Sequence, residues 1–182
     1  MRLFIAIELP PEVKDQLASL KSDIPGATWV KPGAMHLTLR FLGDGIDPIR
    51  LTPITTALSA IRAESFAVGL RGTGRFPPGT KRPARVLWVG IDAPPVLATL
   101  HGAVEQTVAA VGFPPEERGF SPHITLARLK PPAGAAQVER FLERQRSFSA
   151  DPFTAAEFHL ISSLLTPQGP NYRHEASFPL SG

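Results

Sequence analysis

Apolar and polar residues alternate along the first half of the chain in a pattern that predicts strand, helix, strand, helix and strand. An apolar strand spans residues 2–8, and Pro11 opens a helix because the first helical position needs no N–H donor. A second strand runs from His36 to about Leu42. Asp47-Pro48 marks the start of a second helix, and strict alternation from Phe66 to Leu70 predicts a third strand.

The second half repeats the order of the first. The pattern predicts a buried strand at residues 86–91, a helix that opens at Pro94-Pro95 and a strand that carries His123. A helix at 135–146, a long strand from Phe153 to Leu165 and a short final strand from Tyr172 to Phe178 follow. Such a repeated series indicates an internal duplication with pseudo-twofold symmetry. We therefore predict an α+β fold of two pseudo-symmetric lobes, each an antiparallel β-sheet with outer helices, facing across a central groove.

A stretch rich in glycine and proline, residues 72–83, separates the two halves. It predicts an exposed crossover from one lobe to the other. A chain of 182 residues can build one well-packed domain but is short for two ordinary ones. We expect residues 1–182 to form a single two-lobed domain.

Composition narrows the chemistry that the chain can perform. The absence of cysteine excludes a thiolate nucleophile, a disulfide framework and a cysteine-ligated zinc site. A net charge of +3 permits an anionic partner without requiring one. The apolar N-terminal run stops at Glu8, and no stretch approaches the ~20 apolar residues of a membrane span. We expect a cytoplasmic protein with no membrane partner.

One short phrase, histidine-apolar-threonine-leucine, occurs twice. The copies begin at His36 and His123 and place threonine at Thr38 and Thr125, each on the second strand of its half. Because side chains alternate across a strand with period two, the histidine and threonine of each copy share one face. Histidine titrates near neutrality, so one imidazole can donate a proton while the other accepts one. Attack of water on a cyclic phosphodiester needs both, and the hydroxyls can donate to the non-bridging oxygens.

The residues around these phrases resemble a known family. The resemblance covers nearly the full length of the chain. The segments that carry it are residues 2–7, Trp29-Val30, His36 to Gly43, Arg85 to Gly90 and Phe120 to Arg128. They are similar to the two-histidine phosphoesterases, specifically the bacterial and archaeal RNA 2′,3′-cyclic phosphodiesterases, also called 2′-5′ RNA ligases. One such phrase is weak evidence, but two in this register with these flanks are strong.

The resemblance implies metal-independent hydrolysis of a terminal 2′,3′-cyclic phosphate on RNA to a 2′-phosphate. His36 would protonate the leaving 3′-oxygen and His123 would activate water. Running the step backwards, with a 5′-hydroxyl in place of water and the two histidines exchanging roles, would join RNA through a 2′-5′ bond. The partner is then an RNA or oligonucleotide end carrying the cyclic phosphate. No cofactor, metal or obligate protein partner is inferred.

The resemblance also implies that Arg128 contacts phosphate, but strand parity complicates this role. Arg128 lies five residues after His123, so it should point away from the motif unless the strand bulges. Arg40 has favourable parity with His36 but sits about 13 Å further along the strand.

Several other interpretations remain open. A His-x-Thr pair could be half of a zinc site, but no third ligand at a supporting spacing is evident. A serine or threonine nucleophile lacks the Gly-x-Ser-x-Gly context. We expect His101 and His174 to be surface or cap residues, and His159 and Phe41 to lie in the core. Phe76 and Tyr172 lie near turn-rich segments and could equally well be structural or stack on a terminal base.

Two alternative functions would use the same histidine and threonine residues. The chain could bind RNA or a nucleotide without turnover, although intact histidine and threonine in both copies argue against this. It could also hydrolyse another cyclic phosphate, such as an ADP-ribose derivative.

Overall fold

Residues 1–181, which the computed structural model describes, form four α-helices and nine β-strands. The strands are β1 (Arg2–Glu8), β2 (Ala27–Trp29), β3 (His36–Gly43), β4 (Phe66–Phe76), β5 (Val86–Asp92), β6 (His123–Leu129), β7 (Ser149–Ala155), β8 (Glu157–Thr166) and β9 (Gly169–Pro179). The helices are α1 (Pro11–Ala18), α2 (Leu51–Leu58), α3 (Val96–Ala110) and α4 (Ala135–Arg144). Short 3₁₀ turns precede β3 and α2, at Pro32–Ala34 and Pro48–Arg50.

The strands form two antiparallel sheets, which confirms the predicted α+β class. The first sheet has the order β3-β1-β8-β9 and the second has the order β2-β6-β5-β4-β7. Strands β3 and β6, which carry the two repeated phrases, belong to different sheets but approach each other where the sheets meet. The duplicated motifs therefore lie on neighbouring strands.

The prediction that each lobe is one contiguous half of the chain is wrong. Strand β4 pairs with β5 in the second sheet, whereas β8, from the far end of the chain, pairs with β1. Residues 77–85 therefore join two neighbouring antiparallel strands of one sheet and are not a crossover between lobes. Strands joined by a short connection usually pair with each other. Strands β4 and β5 follow this tendency although they belong to different halves of the sequence repeat.

The long strand predicted from Phe153 to Leu165 is two strands. The chain leaves the second sheet at the end of β7, and Ala156 is the one residue between it and β8 of the first sheet. Apolar residues continue through this junction because both strands are partly buried, so hydrophobicity alone does not mark the change of sheet. The short edge strand β2 was not predicted from the sequence.

One face of each sheet is closed by the helices. On β1, Leu3, Ile5 and Ile7 point into a cluster of buried apolar side chains that also takes Val13 and Leu17 from α1. Helices α3 and α4 contribute their apolar stripes to the same cluster, at Leu97, Leu100, Val104, Val108, Val138 and Phe141. The opposite face of each sheet, called the open face below, carries the histidine-threonine motifs.

Each motif strand has a β-bulge at the same place, just after its threonine. In β3, Thr38 pairs with Ala6 and Arg40 pairs with Ile5, so Leu39 is the extra residue. In β6, Thr125 pairs with Trp88 and Ala127 pairs with Leu87, so Leu126 is the extra residue. A bulge inserts one residue and reverses the parity of everything beyond it.

No helix within residues 1–181 has both the length and the apolar content needed to cross a bilayer.

Candidate active site

His36 begins β3 and lies opposite Glu8, the last residue of β1. The residue is only 8% exposed. Nδ1 lies 3.2 Å from the carbonyl oxygen of Ala34, and Nε2 lies 3.1 Å from Oε2 of Glu8. A carbonyl oxygen and an ionised carboxylate can only accept hydrogen bonds, so these two partners favour a ring that carries a proton on both nitrogens.

Glu8 is held as a carboxylate by the groups around it. Partial burial alone would raise the pKa of Glu8, but hydrogen bonds from His36 and Lys14, with their charges, lower it from 4.5 to about 2. Lys14 reaches the carboxylate from the first half of α1. The same Oε2 atom lies 3.2 Å from Nε2 of His174 on β9. Glu8 therefore stays charged at any pH near neutrality and links two imidazoles.

Aromatic rings enclose His36 on the open face. The ring centroids of Phe4 and Tyr172 lie 5.6 and 5.1 Å from that of His36, both in edge-on arrangements. Phe4 and Tyr172 also meet each other edge-on, at 5.6 Å. The sequence singled out Tyr172 as a candidate for base stacking, and the structure places it half-buried beside the first histidine.

His123 has different surroundings. Its Nδ1 lies 2.7 Å from the carbonyl oxygen of Ser121 and therefore donates to it, which leaves Nε2 as the acceptor in the neutral ring. Among residues 1–181, Nε2 of His123 has no hydrogen-bond or ion-pair partner. The ring centroid of Phe76 lies 5.0 Å away, edge-on, and that of Trp88 lies 6.4 Å away. Phe76, the second stacking candidate, thus lies beside the second histidine.

The two threonines lie on the open faces as the motif predicts. The register places Thr38 on the same face of β3 as His36, and Thr125 on the same face of β6 as His123. Thr38 is exposed and Thr125 is half-buried, so both hydroxyls are accessible to a ligand.

The bulges decide which arginine shares a face with a histidine. Arg128 pairs with Val86, which lies on the same face of β5 as Trp88, so the bulge at Leu126 brings exposed Arg128 onto the face of His123. The parity that disfavoured Arg128 is therefore removed. Whether Arg128 contacts phosphate stays a prediction.

The favourable parity assigned to Arg40 is wrong for the same reason. The bulge at Leu39 turns its side chain to the helix side, where it is buried and ion-paired with Glu105 at 2.8 Å and Glu116 at 3.0 Å. Phe41, expected in the core, is instead 37% exposed on the open face, with the guanidinium of Arg2 over its ring.

Two of the other histidines, His101 and His159, lie outside the motifs. His101 lies on α3 and stacks on Phe120 with a centroid distance of 3.9 Å. His159 is 3% exposed and has a partner in Ser177, at 2.8 Å from Nδ1, as expected for a core histidine. Burial first, and the charge of His174 second, lower the pKa of His159 below 6.5.

His174 was expected at the surface and is indeed exposed. Nevertheless, it stacks on His159 with a centroid distance of 4.3 Å and contacts Glu8. Sequence analysis missed both Glu8 and His174 as members of the His36 surroundings. For Glu8 a signal existed, because it has the same strand parity as Phe4 and is the one acidic residue on that face of β1.

Within residues 1–181, no three or more His, Cys, Asp or Glu side chains are grouped so that they could hold a metal ion.

Comparison with known proteins connects this arrangement to a family. The profile of the 2′-5′ RNA ligase superfamily matches residues 9–166. An RNA 2′,3′-cyclic phosphodiesterase of Thermotoga maritima is 35% identical over 179 residues, which cover 95% of this chain and 92% of the relative. One of Thermus thermophilus is 36% identical over 194 residues, covering 100% of this chain and 91% of the relative.

Solved structures agree with the sequence relatives. The crystal structure of TT0787 of Thermus thermophilus superposes with a TM-score of 0.77 at 32% identity, covering 100% of this chain and 99% of the other. That of E. coli LigT complexed with 3′-AMP also gives a TM-score of 0.77, at 25% identity, with 100% and 98% covered. On the profile, the relatives and the fold together, the chain belongs to the 2′-5′ RNA ligase superfamily.

Proposed function

We propose that the protein hydrolyses the terminal 2′,3′-cyclic phosphate of RNA to a 2′-phosphate. The observation that carries this proposal is the placement of two His-x-Thr pairs on the open faces of neighbouring strands, with the imidazoles in complementary hydrogen-bonding states. The ring of His36 faces two acceptors, as suits an acid. Nε2 of His123 has no partner among residues 1–181, as suits a base. Relatives named RNA 2′,3′-cyclic phosphodiesterase support the substrate class.

The reaction uses the two imidazoles in one displacement. Nε2 of His123 takes a proton from water as the water oxygen attacks phosphorus. The bond from phosphorus to the 3′-oxygen breaks, and that oxygen takes the Nε2 proton of His36, which is donated to Glu8 before the substrate binds. The Thr38 and Thr125 hydroxyls donate to the non-bridging oxygens, whose charge grows in the transition state, and Arg128 adds positive charge beside them.

The same geometry also suits a second nucleophile. When a 5′-hydroxyl of RNA takes the place of water, its attack on the cyclic phosphate forms a 2′-5′ bond and the 3′-oxygen leaves as before. His123 is again the base and His36 the acid, so the exchange of roles expected for a reversed step does not apply. Because the two motif strands belong to different sheets, we take the whole two-sheet unit as one functional domain.

The test is product analysis on short oligonucleotides that end in a 2′,3′-cyclic phosphate, with EDTA present. We expect turnover to the 2′-phosphate alone. A 3′-phosphate product would overturn the proposed assignment of the leaving oxygen. Binding without turnover would favour a nucleotide-binding module, and turnover of a different cyclic phosphate only would replace RNA as the substrate.

A further inference from the structure

The two motifs differ at the position directly across the strand pair from each histidine. Glu8 of β1 is opposite His36, and Gly90 of β5 is opposite His123. The two pairs occupy equivalent places, since each histidine begins its strand and each bulge falls one residue beyond the threonine of its motif. One imidazole therefore has a carboxylate across the ladder and the other has no side chain there.

The glycine is enforced by the backbone of the neighbouring strand. A Cβ atom at Gly90 would lie 2.6 Å from the carbonyl oxygen of Arg71. Real Cβ atoms do not approach backbone oxygen that closely. Arg71 is itself held in β4 by its pairing with Ser149 of β7, so its backbone cannot move freely. No carboxylate can therefore be placed opposite His123 without shifting β4.

We propose that Glu8 is a positioning residue that holds the Nε2 proton on His36 and so makes this imidazole the acid of the pair. The inference rests on the proposed function, because it assigns the division of labour within that reaction. The side-chain-free position at Gly90 leaves His123 without a carboxylate partner across the ladder, so its Nε2 is available as the base. Two motifs of nearly identical sequence thereby acquire opposite roles.

Burial explains why His36 needs the carboxylate. A residue that is 8% exposed loses hydration when its ring is charged, and only an opposite charge within hydrogen-bond distance offsets that loss. Glu8 provides this charge at 3.1 Å. Lys14 binds its other oxygen, which fixes the carboxylate in place and keeps it ionised.

The remaining groups that face this pair come from β8 and β9. His174 shares Oε2 of Glu8 with His36, Tyr172 lies edge-on to the His36 ring, and His159 stacks behind His174. Within residues 1–181, Glu8 is the anionic partner of His36, whereas the other titratable neighbours are cationic or neutral. The charge that favours the protonated ring therefore comes from Glu8.

The first experiment compares the pH–rate profiles of the wild type and Glu8→Gln on a 2′,3′-cyclic nucleotide. Without the carboxylate, we expect the alkaline limb of the kcat profile to move to lower pH by about one unit, with kcat near neutrality about tenfold lower. KM should change by less than about twofold, because Glu8 does not touch the substrate. Glu157→Gln is the matched control: this carboxylate lies 3.6 Å from His159 on the same sheet, and its removal should leave the limb in place.

The second experiment observes the histidine directly and needs no turnover. Titration of the His36 ring nitrogens by ¹⁵N NMR in the resting enzyme should show protonation of both nitrogens persisting to higher pH in the wild type than in Glu8→Gln. If Glu8→Gln does not fold, Glu8→Asp serves instead, since it keeps the charge but withdraws it from Nε2, and the same direction of change is expected. An unchanged His36 titration would overturn the role of Glu8 whether or not the protein turns over cyclic phosphate. A wild type without turnover but with the expected titration would contradict only the proposed reaction.

Discussion

The two histidine residues are alike in their sequence motif but unlike in what they contact. His36 is buried between a carboxylate, a backbone carbonyl and two aromatic rings. His123 has one carbonyl partner, and within the described part of the chain its Nε2 has none. Acid–base catalysis at one pH requires this inequality, since two rings in the same protonation state cannot both give and take a proton. The neighbours across the ladder therefore decide the chemistry of each copy.

Removing either threonine hydroxyl should slow the chemical step and leave binding largely intact. Thr38→Val and Thr125→Val keep the shape of the side chain but remove its donor, and we expect kcat to fall by about 10² for each. Steady-state kinetics on a cyclic nucleotide measure this. Thr38→Ser and Thr125→Ser keep the hydroxyl and are the matched controls. Equal rates for the valine and serine variants would show that the threonine hydroxyls take no part in the reaction.

The sequence predicted the residues of the motif better than their partners. Histidine and threonine share a face by local strand geometry alone, and the register of the strands agrees with that placement. Glu8 joins His36 only through the pairing of β1 with β3, and His174 joins Glu8 only once β9 lies in the same sheet. Such contacts depend on pairing between distant strands, which a period-two pattern does not contain.

Among the secondary-structure elements, the two β-bulges change which side chains accompany each motif. Each bulge inserts one residue just after the threonine. In a regular strand the second residue after the threonine would return to the open face, but here the third residue does so. At those equivalent positions stand Phe41 in β3 and Arg128 in β6. The bulges thus place one aromatic and one cationic side chain beside otherwise similar motifs.

The bulges predict opposite outcomes for two arginines that the sequence presents as rivals. Arg128→Ala should leave the stability unchanged within about 0.5 kcal/mol, because Arg128 is exposed, while kcat/KM for a cyclic nucleotide falls at least about tenfold. Arg40→Ala should lower the free energy of unfolding by about 3 kcal/mol, because it leaves partly buried Glu105 without its guanidinium partner.

Urea unfolding and kinetics on both variants separate the two effects. The folded fraction of Arg40→Ala should turn over at close to the wild-type rate. Loss of turnover in folded Arg40→Ala, with Arg128→Ala fully active, would reverse the assignment.

Across the entire fold, strands are exchanged between the two sequence repeats. The fold class, the antiparallel sheets and most of the element order follow from the hydrophobic pattern, but β4 and β8 each join the sheet of the other half. The pattern shows which face of a strand is buried and says nothing about its neighbour, so it could not reveal this exchange. The change of sheet at Ala156 was hidden for a related reason, because apolar character continues across it.

His159, which is buried on β8, should make the stability of the fold depend on pH. Burial, followed by the charge of His174, lowers the pKa of His159 below 6.5 in the folded state. The unfolded chain therefore binds a proton that the folded chain does not, and stability is lost as pH falls below about 6.5. Urea unfolding at two pH values, about one unit above and one unit below 6.5, should show a larger loss of unfolding free energy on acidification in the wild type than in His159→Asn. Equal losses in the two proteins would show that His159 is not the group responsible.

The division of labour between the two histidines can be tested by changing the leaving atom. A cyclic phosphate with sulfur in place of the 3′-oxygen needs no acid, since a thiolate leaves without a proton. On the oxygen substrate, His36→Ala and His123→Ala should each lower kcat by about 10²–10⁴. On the sulfur substrate, His36→Ala should approach the wild-type rate while His123→Ala stays slow. Equal losses for both variants on both substrates would contradict the assignment of His36 as acid and His123 as base.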